Sequence, residues 1–246
     1  MPVLKGHYSS MPIKIDGRKP RIELLPFPLA RTPLKNCAFN LLYRHLETAN
    51  PARGLDAGTG QFRNRWMFPG EYVGITKHRS EYFDGFKHSR PIKRTGPMAV
   101  YLMTLERDFS FLGPMDVCVS TYTLQYVETY PDVIERLAQR VRRGGSLFIQ
   151  NELPTLDASI KAVESHFSDI EVIFTEYAGM SDLEEGSDVV RLSALEMHAP
   201  TRAEDHASYC LIARGKIQPE APAGPTPAIR NDGGLLIVER DLDQCS

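Results

Sequence analysis

The sequence predicts an α/β protein, with a doubly wound, mostly parallel sheet of seven strands preceded by an N-terminal helical arm. Three observations carry that prediction. Short apolar runs of strand length alternate with stretches of helical period, the pattern of repeated strand-helix-strand units. One run, Met115-Asp116-Val117-Cys118-Val119-Ser120, is nearly continuous in apolar residues, as expected of a strand covered on both faces. The third is a glycine loop, Gly54-Leu55-Asp56-Ala57-Gly58-Thr59-Gly60-Gln61-Phe62, placed directly after the first strand. Glycine turns the chain sharply and leaves no Cβ in a ligand's way. A helix opening behind the loop would add unpaired N–H groups. Asp56, two residues before the first of the spaced glycines, repels a pyrophosphate and attracts a cation.

Taken in order, residues 1–31 are rich in Pro, Lys and Arg without a sustained period, and read as an arm that packs over the rest. Thr32-Pro33 supplies an N-cap and a proline at the first helical position. Leu34, Ala38, Leu41, Leu42 and Leu46 follow at helical spacing, so a helix is expected over 33–47, broken by Asn50-Pro51. A strand at 53–56 leads into the glycine loop and a helical stretch that Pro69-Gly70 stops early. Strand 71–75, helix 77–87, a basic loop over 89–97, strand 99–103 and strand 115–120 come next. Thr129 is read as the N-cap of the clearest helix, with Asp132 as its capping-box partner and Gly144 as its end. Strand 146–150, helix 157–167, strand 170–174 and strand 208–212 complete the alternation. Residues 176–205 form a long acidic stretch, and a loop of that length is usually functional or disordered. Residues 219–227 look like a linker, and 235–238 like a terminal strand able to lie on a neighbour's sheet edge, which leaves a homodimer open. The organisation expected is an arm over 1–31, a Rossmann-like domain over 32–214 and a proline-rich extension over 215–246.

Composition narrows the function. At 246 residues the chain buries a sizeable core, and 42% hydrophobic with 24% charged residues is ordinary for a globular protein. A net charge of -2 argues against a dedicated nucleic-acid binder. Cys37, Cys118, Cys210 and Cys245 lie far apart in no metal-ligand spacing, so no metal site is expected and the thiols read as reduced and intracellular. Residues 1–20 lack a signal-peptide core and no run approaches membrane length, so a cytoplasmic protein without membrane partners is expected.

Over roughly 32–214 the chain resembles the class I S-adenosylmethionine-dependent methyltransferases. Leu55-Asp56-Ala57-Gly58-Thr59-Gly60 is similar to their first motif, an acid followed by Gly-x-Gly. Tyr72-Val73-Gly74-Ile75-Thr76 resembles the second strand, and the stretch from Met115 to Val127 the fourth strand and its turn. Arg143-Gly144-Gly145 before the fifth strand resembles the family's Pro-Gly-Gly turn. The resemblance implies a seven-stranded sheet with its last strand antiparallel, S-adenosyl-L-methionine as cofactor, and methyl transfer to a small-molecule acceptor.

It also implies site residues. Asp56, Ala57, Gly58 and Gly60 would lie under the cofactor, with Asp56 near its amino group. Thr76 stands where the family commonly places a ribose-binding acid, with Lys77 beside it and Glu81 a turn further on. Leu105 and Glu106 would meet adenine, Ser120 and Thr121 would pass beneath the cofactor, and Gln125 would bind it from just beyond, on the cofactor-to-substrate side. Tyr122, Tyr126 and Glu152 are the candidate catalytic residues: the tyrosines could align an acceptor or wall the sulfonium, and the carboxylate could accept a proton. Two other readings remain open. One is a methyltransferase-like binding module without catalysis. The other is an NADP-dependent oxidoreductase, for which Thr76-Lys77-His78-Arg79 resembles a 2′-phosphate pocket while Arg63 breaks the dinucleotide glycine pattern.

Overall fold

All seven residues of Met115–Thr121 are buried, and the rest of the fold is arranged to cover them. A computed structural model describes residues 3–4, 33–62, 64–88, 96–176, 190–192 and 208–238. In chain order its strands are β1 (Val3–Leu4), β2 (Arg53–Ala57), β3 (Glu71–Thr76), β4 (Met98–Leu102), β5 (Met115–Thr121) and β6 (Val141–Glu152). There follow β7 (Phe167–Glu176), β8 (Val190–Leu192), β9 (Ser208–Lys216), β10 (Ile229–Asp232) and β11 (Leu235–Val238). The helices are α1 (Pro33–Ala49), α2 (Arg79–His88), α3 (Tyr130–Arg140) and α4 (Leu156–Glu164). Among the described residues, no helix is long and apolar enough to cross a membrane.

One sheet joins the strands in the order β1-β7-β9-β6-β5-β2-β3-β4-β11-β10, with β8 also paired to β7. Neighbours from β6 through β4 run parallel, while β9 is antiparallel to both β6 and β7. The seven expected strands are therefore present, with the last one antiparallel as anticipated. Side chains alternate across β5, so Val117 and Val119 pack on one face and Cys118 on the other. The first face is covered by Ala38, Leu42 and Leu46 of α1, and the second by Val133, Ile134, Leu137 and Ala138 of α3. Burying each such branched side chain is worth about 1.5–3 kcal/mol over leaving it in water.

Several local expectations are corrected. After the glycine loop, Arg65–Met67 makes only a short 3-10 turn where a helix was expected. Phe62 takes φ 40°, and Phe62, Met67 and Phe68 all turn into the core within a few residues of Pro69. The segment is too short and too committed to packing for a helix. Thr129 makes no side-chain capping bond, so the capping box is absent. Helix α3 stops at Arg140 rather than at Gly144, because Val141 is already extended and pairs with Met115. Gly144, at φ 79°, instead serves a bulge that lies between the Val141 and Ser146 pairings. Phe167 belongs to β7 and not to the preceding helix. Strand 235–238 pairs with β4 and forms a hairpin with the unanticipated β10. The basic loop over 89–95, Arg63 and most of the arm and of 176–205 lie outside the described residues.

Candidate functional site

The chain crosses from β4 back to β5 on the other side of β2, so β2 and β5 flank the point where strand order reverses. Open α/β sheets bind ligands there, beyond the carboxyl ends of the strands. A cavity of about 580 Å³ occupies that place. The glycine loop contributes Gly58, Thr59, Gly60, Gln61 and Asn64, and the end of β3 contributes Ile75, Thr76, Lys77, His78 and Glu81. Met103, Leu105 and Glu106 follow β4, and Thr121, Tyr122, Thr123, Tyr126 and Val127 follow β5.

The loop is held from below. The amides of Gly58 and Thr59 both donate to the Ile75 carbonyl, at 3.0 and 2.8 Å. Gly58 and Gly60 have φ values of 77° and 50°, which glycine adopts without strain. A Cβ on Gly58 would lie 2.1 Å from Thr123 Cγ2, whereas a Cβ on Gly60 would meet no protein atom within 4 Å. Asp116 anchors the start of β2, accepting hydrogen bonds from the amides of Ala52 and Arg53 at 2.7 and 3.0 Å. Tyr122 takes φ 52° and its amide donates to Gln150 Oε1 at 2.6 Å. Such conformations cluster at functional sites.

Asp56 lies behind the cavity wall, where a direct contact with a ligand gives way to an indirect one. It is fully buried and does not line the cavity. Its oxygens accept from Tyr72 Oη at 2.7 Å and Asn64 Nδ2 at 3.3 Å, and Tyr72 Oη also bonds Thr59 Oγ1. Burial pushes its carboxyl up to about 6, against the opposing pull of these hydrogen bonds. Asn64 stands between this carboxylate and the cavity. Its Nδ2 also donates to Thr121 Oγ1 at 3.0 Å, and its buried Oδ1 has no partner. An unpaired buried carbonyl beside a cavity is an acceptor waiting for a donor.

At the far side, Thr76 Oγ1 donates to Glu81 Oε2 at 2.9 Å. The strand end that lacks an acid is thus supplied with one from the first turn of α2. Of the residues singled out in the sequence, Gly58, Gly60, Thr76, Lys77, Leu105, Glu106, Thr121, Tyr122 and Tyr126 come together around the cavity. Tyr126 stands 82% exposed at its border. Ala57 and Ser120 lie beneath, with Ser120 Oγ donating to the Ala57 carbonyl at 3.0 Å. Gln125 and Glu152 are not among the lining residues, and Glu152 is exposed at the end of β6. Asn64 lies outside every motif of the sequence, while Thr59, Tyr72 and Thr123 lie within motif stretches but show a role only through their partners Asp56 and Gly58.

A doubly wound sheet with a glycine loop and a cavity at its switch point is a Rossmann-like architecture. No protein-family model matches the sequence, and no curated protein matches it. Solved structures do match. N-methyltransferase NodS from Bradyrhizobium japonicum WM9 is 14% identical, covering 77% of this chain and 99% of that one, with a TM-score of 0.53. NodS in complex with S-adenosyl-l-homocysteine gives a TM-score of 0.53 at 15% identity, over 78% and 91%. Precorrin-6y C5,15-methyltransferase from Geobacter metallireducens GS-15 gives 0.51 at 11% identity, over 85% and 100%. The fold is that of the class I S-adenosylmethionine-dependent methyltransferases.

Proposed function

We propose that the protein binds S-adenosylmethionine in this cavity and transfers its methyl group to a small-molecule acceptor. The observation that carries the reading is the Glu81 carboxylate, held by Thr76 at the end of β3 where a ribose diol would need acceptors. The unpaired Asn64 Oδ1 supports it, being placed to accept from an ammonium group. When bound, the cofactor supplies an electrophilic methyl on a sulfur that leaves neutral, so its departure needs little acid assistance.

The chain's own residues then bind and orient. Glu81 and Thr76 hold the ribose hydroxyls, Met103 and Leu105 pack against adenine, and Glu106 accepts from its amine. Gly58 and Gly60 bring backbone close, while Asp56, acting through Asn64, sets the acceptor for the ammonium. The turn from Thr121 to Tyr126 borders the acceptor side, where Tyr122 and Tyr126 align the incoming nucleophile. Orientation of this kind supplies roughly 7–11 kcal/mol in favourable cases. A 2′-phosphate is a poor fit for the same place. Glu81 would repel it, and Arg79 is paired with Asp232.

Titration calorimetry with S-adenosylhomocysteine tests the reading. Binding in the micromolar range is expected, and no heat at high micromolar concentration overturns it. Glu81→Gln removes a charged acceptor and is expected to weaken binding about 10- to 100-fold. Binding without methyl transfer to any acceptor would favour the non-catalytic module.

A further inference from the structure

The residues after β9 do more than trail from the domain. Strand β11 extends the sheet beyond β4, with Leu235 paired to Val100 and Ile237 to Leu102, and both side chains are buried. It returns to β10 through Gly233 and Gly234, at φ 58° and 93°, a two-residue turn of the type that tightens hairpins. That turn sits on α2. Tyr82, 1% exposed, donates its hydroxyl to the Gly233 carbonyl at 3.2 Å, and a Cβ on Gly234 would lie 2.6 Å from that hydroxyl. Arg79, at the start of α2, pairs with Asp232 and lies over the Phe83 ring.

Tyr82 also reaches the glycine loop. Its ring meets Phe62 edge-on, with centroids 5.8 Å apart, and Phe62 is the loop residue at φ 40°. Glu81 is the neighbour of Tyr82 in the same helical turn, and its carboxylate is the one held by Thr76 in the cavity. The hairpin, Tyr82 and the two sides of the cavity are therefore one packed chain of contacts.

We propose that the C-terminal hairpin is a positioning element for the cofactor cavity: its Asp232-Gly233-Gly234 turn seats Tyr82 and Arg79, and through them fixes Glu81 and Phe62. Tyr82 and Asp232 are positioning residues, acting on the ligand only through Glu81 and the loop. The proposal rests on the reading of the cavity as an S-adenosylmethionine site.

The test uses the full chain and compares wild type, Gly234→Ala, Tyr82→Phe and the double variant. It reads affinity for S-adenosylhomocysteine, amide hydrogen exchange over 79–84 and melting temperature. Gly234→Ala is expected to weaken binding about tenfold and to speed exchange over 79–84, and Tyr82→Phe to weaken it about fivefold, each a coupling of ordinary size. The double variant is expected to lose less than the product of the two, since removing the hydroxyl relieves its clash with the new methyl. Should Gly234→Ala fail to fold, Tyr82→Phe, which removes one atom, still decides the matter. Wild-type affinity together with wild-type exchange over 79–84 in a folded Tyr82→Phe overturns the proposal. Absence of binding in the wild type sinks the cofactor reading instead, and the exchange data then judge the hairpin alone.

Discussion

Gly58→Ala is expected to abolish S-adenosylhomocysteine binding and to destabilise the fold by about 3 kcal/mol. Two effects add. A non-glycine residue at φ 77° is strained by roughly 1–2 kcal/mol. The new methyl would also press on Thr123, whose Cγ2, Oγ1 and Cβ all lie within 2.6 Å of the ideal Cβ position. Overpacking of that kind costs typically 1–3 kcal/mol. Thr123 cannot simply swing away, because its hydroxyl donates to the carbonyls of Gly58 and Thr121 at 3.0 and 3.1 Å. Gly60→Ala separates folding from binding. At φ 50° it carries backbone strain of about 1 kcal/mol, yet its methyl meets no protein atom, so the fold survives while the methyl stands beside the cavity. Chemical denaturation and calorimetry on the two variants check both halves. Equal stability losses, or retained binding in Gly58→Ala, would contradict this account of the loop.

The framework was legible because parallel strands advertise themselves. Buried on both faces, β3 and β5 read as apolar runs, and their alternation with helices leaves few topologies. The cavity's location follows from that topology, so Gly58, Gly60, Thr121 and Tyr122 could be named from order alone. Glu81 illustrates the limit. The strand-end position looks deficient at Thr76, and only the direction of the first turn of α2 shows that a carboxylate returns to the same place. Asn64 is less legible still, since its meaning depends on bonds to Asp56 and Thr121, respectively 8 and 57 residues away. The missing helix after the glycine loop shows packing overriding local pattern, as Phe62, Met67 and Phe68 each turn inward. The hairpin was only half legible for a related reason. The run at 235–238 reads as a strand, and nothing in it says that its partner is β4.

Asp56→Asn is expected to raise stability at pH 8 and to weaken S-adenosylhomocysteine binding. The Asp56 carboxyl rises from 3.8 to about 6 on folding, chiefly because burial disfavours its charge. Between those values the folded chain holds a proton that the unfolded chain has released. Wild-type stability therefore falls as pH rises from about 4 through about 6, and above that range the buried charge acts at full cost. At about 1.4 kcal/mol per unit, the total is about 2–3 kcal/mol. Asparagine does not titrate, so the variant lacks this slope: it is the more stable protein at pH 8, and the advantage vanishes near pH 4. The substitution also fits, because the new amide can donate to Tyr72 Oη while Tyr72 donates onward to Thr59 Oγ1. Denaturation at pH 4, 6 and 8 measures the effect, and parallel stability profiles for the two proteins would contradict it. Binding moves the other way. The ionised carboxylate accepts from Asn64 Nδ2, and the uncharged amide oxygen of the variant accepts the same bond more weakly, so Asn64 is held less firmly at the cavity. On the proposed reading of the cavity, a residue that lowers stability at working pH is retained for ligand binding, since the fold alone would be better served by asparagine.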